Sequence, residues 1–388
     1  MPQEYNVLAP GPVNLHPKVR ESLALPMIHH RTPEFDRILK RVLLRLKDIF
    51  QTTEPVFITS STGSGGMEAL LVNTMQAGDQ VLCIDSGKFG ERWADMVEIF
   101  GGKLSRLKLE WGKPVQVSQV EEQLKKNPQT KIVLCQACET SSGVVHPIEA
   151  LGKLISQYPE TLFLVDGITA LGAMPLPMDQ WQIDGLVGGS QKAFMLPTGL
   201  SLFSFSKKAW ARIEKNPTPR YYFDVRREKK ANDKGETFFS SNVTLIRALD
   251  VVLELIFEKG LPALFQEIET RANFTRQFAP KLGFSLFAEA PSNSLTALQV
   301  PAGIDSQKIR TQLETEFHIT IMGGQDQAKG KILRIGHMGY ILPEQMIQLI
   351  MALGKILHDT DSKLCEPQKM QALEVEMKAF WKTTGQPI

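Results

Sequence analysis

The chain has 388 residues, 43% of them hydrophobic and 22% charged, which suits a soluble globular protein with one large and one small domain. Its formal net charge is +2, with Lys and Arg scattered among Asp and Glu, so a nucleic-acid or membrane surface is not expected. No apolar run reaches a membrane span and residues Met1 to Tyr5 carry no secretory pattern, so a cytoplasmic protein is expected.

From about residue 55 to 205, short apolar runs alternate with helical patterns. Strands are predicted at 55–60, 80–85, 131–136, 161–166, 185–189 and 199–205, with helices from Met67 and over 89–100 and 148–157. That alternation predicts an α/β fold whose mostly parallel sheet is covered on both faces. Cys135 and Cys138 form a lone CxxC with no second pair or His cluster, so buried thiols and no metal are expected. Residues 207–240 are polar. Within them Arg226 to Lys230 is the densest basic stretch and reads as a solvated loop. Helices are predicted over 244–259 and from Pro262 to about Leu282. Strands at 295–300, 319–322 and 332–335, with helices over 306–317 and from Pro343, then predict a smaller α+β domain. Residues 367–382 read as one more amphipathic helix, with apolar positions at Met370, Leu373, Val375, Met377 and Phe380. The division is an N-terminal arm and large domain over 1–262, and a small C-terminal domain over 263–388.

Open parallel sheets bind ligands beyond the carboxyl ends of their strands, which directs attention to four places. Thr62-Gly63-Ser64 lies in a Gly-rich turn between a strand and a helix, where free N–H groups and a helix end suit a phosphate. No Lys follows it, so it is not a Walker A loop; an ordinary tight turn would read the same way. Asp166 ends an apolar strand and needs either a cationic partner or a helix to cap. Lys192 follows Gly188-Gly189-Ser190-Gln191. Desolvation there would lower its pKa and free the amine as a nucleophile. Arg334 interrupts an apolar strand, where its planar fork can hold a substrate carboxylate or pair with a structural acid.

In this order and spacing the four sites closely resemble the class V aminotransferases of pyridoxal phosphate fold type I, in the alanine–glyoxylate and serine–glyoxylate branch. The resemblance runs from Ala9-Pro10-Gly11-Pro12 to about Leu357. It includes Ile28 to Phe35, Gly87 to Trp93, Glu139-Thr140-Ser141-Ser142-Gly143-Val144 and Ile321 to Gly324. It implies that Lys192 carries the cofactor covalently and serves as acid and base, and that Asp166 pairs with the pyridine nitrogen. It further implies that Thr62, Gly63, Ser64 and Gln191 hold the phosphate. Phe89 would stack on the ring, Ile168 would lie against its other face, and Thr140 would sit near the phenolic oxygen. Arg334, with Gly11 nearby, would bind the substrate. Ser240 would reach the phosphate of the second subunit in a homodimer with shared active sites.

The resemblance implies transfer of the amino group of alanine or serine to an oxo acid such as glyoxylate. Arg31, His29 and His30 are candidate second cations, which keeps aspartate open as donor. A cysteine desulfurase is disfavoured, because residues 323–331 contain no Cys. A non-catalytic subunit of another complex also stays open, since fold does not fix function.

Overall fold

The structure, a computed structural model, describes residues 4–361 and 364–384. The large sheet comprises β1 (Val56–Thr59), β2 (Gln80–Asp85), β3 (Lys103–Lys108), β4 (Thr130–Gln136), β5 (Leu162–Asp166), β6 (Gly185–Gly189) and β7 (Ser201–Phe205). Their order is β1-β7-β6-β5-β4-β2-β3. β7 alone runs antiparallel to its neighbours. Every residue of β5, β6 and β7 is buried, as a sheet covered on both faces requires. The sequence reading missed β3. It is an edge strand, and Lys103, Arg106 and Lys108 leave it without an apolar run.

The reading also passed over helix Pro33–Phe50. Thr32 caps it, Pro33 opens it, and Phe35, Leu39, Val42, Leu46 and Ile49 form its buried stripe. The basic run is corrected too. Arg226 to Lys230 is not a loop but lies within helix Val225–Asn232, capped by Asp224, whose carboxylate also accepts from Arg226 Nε at 2.9 Å.

The smaller sheet is antiparallel and contains Ser285–Leu286, β8 (Leu295–Gln299), β9 (Ile332–Gly336) and Met322–Gly323. The expected single strand over 319–322 is split. Ile319–Thr320 pairs instead with Asn6–Val7 of the N-terminal arm. Leu8 enters the core of the small domain, and its carbonyl accepts from Gly336 N at 2.7 Å. Helix Leu261–Phe278 serves both cores, with Leu264 and Ile268 in the large one and Phe274 and Phe278 in the small one.

Helix Pro367–Thr383 packs Met370, Leu373, Met377 and Trp381 against the small core, and Trp381 meets Phe274 with ring centroids 5.1 Å apart. Val375, expected on that face, is 69% exposed. All four cysteines are buried and free. Among the described residues no helix is long and apolar enough to cross a membrane.

Candidate active site

Parallel pairing aligns the carboxyl ends of the central strands. Gln136 of β4 sits beside Asp166 of β5, and Asp166 sits beside Val187 of β6. Lys192 follows the end of β6 by three residues, so the same edge presents an acid and an amine.

Lys192 is 8% exposed, and its Nζ donates to Pro10 O at 2.9 Å. Burial, with the positive charge of Arg334 second, pushes its pKa down to about 8. A useful fraction of the amine is therefore neutral near physiological pH. The arm lies directly against it. A Cβ at Gly11, whose φ is +139°, would stand 2.6 Å from Lys192 Nζ, so only glycine fits there.

Asp166 is also buried. One carboxylate oxygen accepts from Ile168 N at 2.8 Å, and no cation pairs with it among the described residues. It caps a turn rather than a helix. Burial pushes its pKa up to about 7.

The Gly-rich turn opens helix Gly63–Thr74, with Thr62 at the cap position and no side-chain capping bond. A Cβ on Gly63 would come 2.6 Å from Ile168 Cδ1, and one on Gly189 would come 3.1 Å from Gln191 Oε1 and 3.2 Å from Ile168 Cγ2. The turn, Ile168 and Gln191 therefore form one cradle. Gln191 Oε1 is buried and has no partner there.

Phe89 is the second residue of the next helix, Lys88–Ile99, and is half-buried. Glu139 holds that helix end. Its fully buried carboxylate accepts from Phe89 N at 3.1 Å, Gly90 N at 3.0 Å, Ser141 N at 3.1 Å and Ser141 Oγ at 2.6 Å. In the sequence Glu139 stands out only as part of the Glu139 to Val144 motif. Two of its partners, Phe89 and Gly90, lie about fifty residues away, where no local pattern could reveal them. Thr140 Oγ1 meets Thr169 Oγ1 at 2.7 Å.

Arg334 crosses from the small domain. Its Nε donates to Gly323 O at 2.9 Å and its Nη1 to Thr140 O at 3.0 Å. It is 6% exposed and forms no ion pair among the described residues.

Other expected residues lie elsewhere. Arg31 does not stand free as a second carboxylate cation, because its Nη1 pairs with Glu236 at 2.5 Å at the surface. No hydrogen bond among the described residues joins Ser240 to the Lys192 cluster. It is exposed and lines a cleft with Thr59, Ser60 and Tyr222. Burial drives the Cys138 thiol up to about 11 and that of Cys135 well above the ordinary value, so both are inert neutral thiols.

The profile of the family described as Aminotransferase class-V matches residues 18–342. An L-aspartate–glyoxylate aminotransferase of Paracoccus denitrificans is 33% identical over 367 residues, which is 92% of each chain. A soluble hydrogenase 42 kDa subunit of Anabaena cylindrica is 34% identical over 92% of this chain and 94% of its own. Among solved structures, the alanine–glyoxylate aminotransferase of a Nostoc species superposes with a TM-score of 0.88 at 29% identity, covering 92% of this chain and 97% of that one. The expected fold, type I of the pyridoxal phosphate enzymes, is that of these neighbours.

Proposed function

With the chain a member of the class V aminotransferase family, we propose that it moves the amino group of a small amino acid, alanine or serine, to glyoxylate. One observation carries this reading. Three buried charged groups, Lys192, Asp166 and Arg334, lie close enough to act on one another and have no opposite charge from the chain bonded to them. Unmatched buried charge is costly, and a ligand that is part cation, part aldehyde and part carboxylate would relieve it.

The residues fit pyridoxal phosphate. Lys192 would hold it covalently, and Asp166 would keep a proton on its pyridine nitrogen. Phe89 and Ile168 would flank its ring, with Thr140 beside it. Thr62, Gly63, Ser64 and Gln191 would take the phosphate in the cradle that a Cβ on Gly63 or Gly189 would fill, Gln191 donating through its amide N–H. When bound, the cofactor supplies a carbonyl carbon for the amino group and a ring that accepts electrons. The protein's own tasks are then proton transfer and positioning. Displaced by the incoming amino group, Lys192 Nζ would be free to take the proton from the substrate Cα. Arg334 grips the α-carboxylate, and Gly11 lets the arm pass directly against Lys192.

We further propose a homodimer in which Ser240 serves the partner's phosphate site, and a reducing, cytoplasmic setting that suits four free thiols. The Anabaena relative's name favours a second reading, a subunit of another complex. The test is a purified protein, its visible absorption, and a panel of amino donors with glyoxylate. Alanine and serine should be the best donors, with ping-pong kinetics. No visible band and no turnover with any donor would leave the subunit reading.

A further inference from the structure

We infer that Arg92 is the cation that neutralises the cofactor phosphate, an inference that rests on the transaminase reading above. The phosphate turn has an electrostatic deficit. A helix end offers about half a positive charge, whereas a phosphate ester carries about −1.5 to −2. The turn itself contains no Lys or Arg.

Arg92 reaches that turn from the neighbouring helix. Its Nη1 donates to Ser64 Oγ at 2.8 Å, and its guanidinium lies 4.8 Å from the centroid of the Phe89 ring. Ser64 is the second residue of helix Gly63–Thr74, where first-turn N–H groups have no helical acceptor. The guanidinium is thus fixed between the ring expected to stack on the cofactor and the turn expected to hold its phosphate.

No other hydrogen bond and no ion pair joins that guanidinium to a described residue, so most of its donors are uncommitted. It is half-buried, where a charge acts through less water than on an open surface. Its field reaches Asp166 and Lys192, which places it within the same site.

A substrate's distal carboxylate is the competing anion. The bond to Ser64 favours phosphate, because it ties Arg92 to the phosphate turn rather than to the Arg334 side, where the α-carboxylate belongs. Arg92 was visible in the sequence only as one letter of the Gly87 to Trp93 segment. Its three-residue spacing from Phe89 puts both on one helix face.

The test uses apo-protein and two ligands, pyridoxal phosphate and pyridoxal, titrated by quenching of tryptophan fluorescence. Arg92→Met should raise the Kd for pyridoxal phosphate about tenfold to a hundredfold, the scale of a charge-assisted contact, and leave that for pyridoxal within about twofold. Arg92→Lys should recover most of the loss. In phosphorus NMR the bound phosphate should stay dianionic to acid pH in the wild type and titrate nearer pH 6 in Arg92→Met. Equal weakening of both ligands would mean that Arg92 only props Phe89 and would overturn the inference. An unchanged Kd with a raised KM for aspartate alone would overturn it too, in favour of the distal carboxylate. A wild-type protein that binds neither ligand would instead sink the transaminase reading. Should Arg92→Met fail to fold, Arg92→Gln replaces it with the same expected outcomes.

Discussion

Arg271 and Arg334 are both buried arginines of the small domain, and the chain treats them differently. Arg271 donates to the Glu267 carboxylate and to the carbonyls of His337, Gly339 and Ile341. It ties helix Leu261–Phe278 to the loop after β9, and its charge is matched within the fold. Arg334 is nearly as buried but has only the carbonyls of Gly323 and Thr140. Lys192 and Asp166, on the facing edge of the large sheet, share that incompleteness. A buried charge with its counterion in the chain holds structure together. One without it marks where a ligand completes the protein.

Four measurements test this contrast between matched and unmatched buried charge. The largest effect belongs to Lys192→Ala, on the incomplete side. Turnover with glyoxylate should fall about 10²–10⁴-fold, and the visible band of the covalently held cofactor should vanish. Undiminished turnover would end the assignment.

Arg271→Met tests the complete side. Leaving Glu267 and three carbonyls unmatched should cost about 3–5 kcal/mol of stability, the range for removing one partner of a buried pair. A thermal melt should drop by several degrees while kcat/KM per folded enzyme stays within about twofold. A stable but inactive variant would erase the distinction between the two arginines.

Arg334→Lys replaces a two-pronged grip with a point charge. It should lower kcat/KM for alanine about tenfold to a hundredfold, since hydrogen bonds to charged groups contribute about 1.5–3 kcal/mol each. A simple amine without a carboxylate should lose little, and the melt should hardly move. Equal losses for both substrates would make Arg334 a structural residue like Arg271.

The smallest effect is a slope. Burial raises the Asp166 carboxyl to about 7 in the apo-protein, above its ordinary range. The native state then holds a proton that the unfolded chain has already released, so this group's contribution makes apo stability fall as pH rises from about 4 to 7. Asp166→Asn should remove that slope. It should melt no lower than wild type at pH 8 as apo-protein, keep the cofactor, and still lose most transamination. A parallel pH dependence in the two proteins would show that Asp166 already has its partner.

Much of this was legible beforehand because it is local. Apolar runs marked six of the seven strands of the large sheet, and residues just beyond their ends supplied Asp166 and Lys192. Where local pattern and burial part company, the reading failed. β3 is an edge strand without an apolar run, and the basic run 226–230 is helical because Asp224 caps it. Val375 was expected inward where Trp381 is buried instead, because packing against Phe274 sets the helix face.

The available chemistry is written along the chain: an amine after a Gly pair, an acid at a strand end, a Gly-rich turn before a helix, and an arginine in an apolar strand. Those signals are short-range, and each depends only on its immediate neighbours. Which charges go unanswered depends on the packed fold. It threaded the arm over Lys192, so that Gly11 must be glycine, and spent the carboxylate of Glu139 on backbone donors about fifty residues away. It also paired Arg31 with Glu236 and left Arg92 unpaired beside Ser64. Counterions are chosen by proximity in space, and proximity between distant segments is a property of the packed fold.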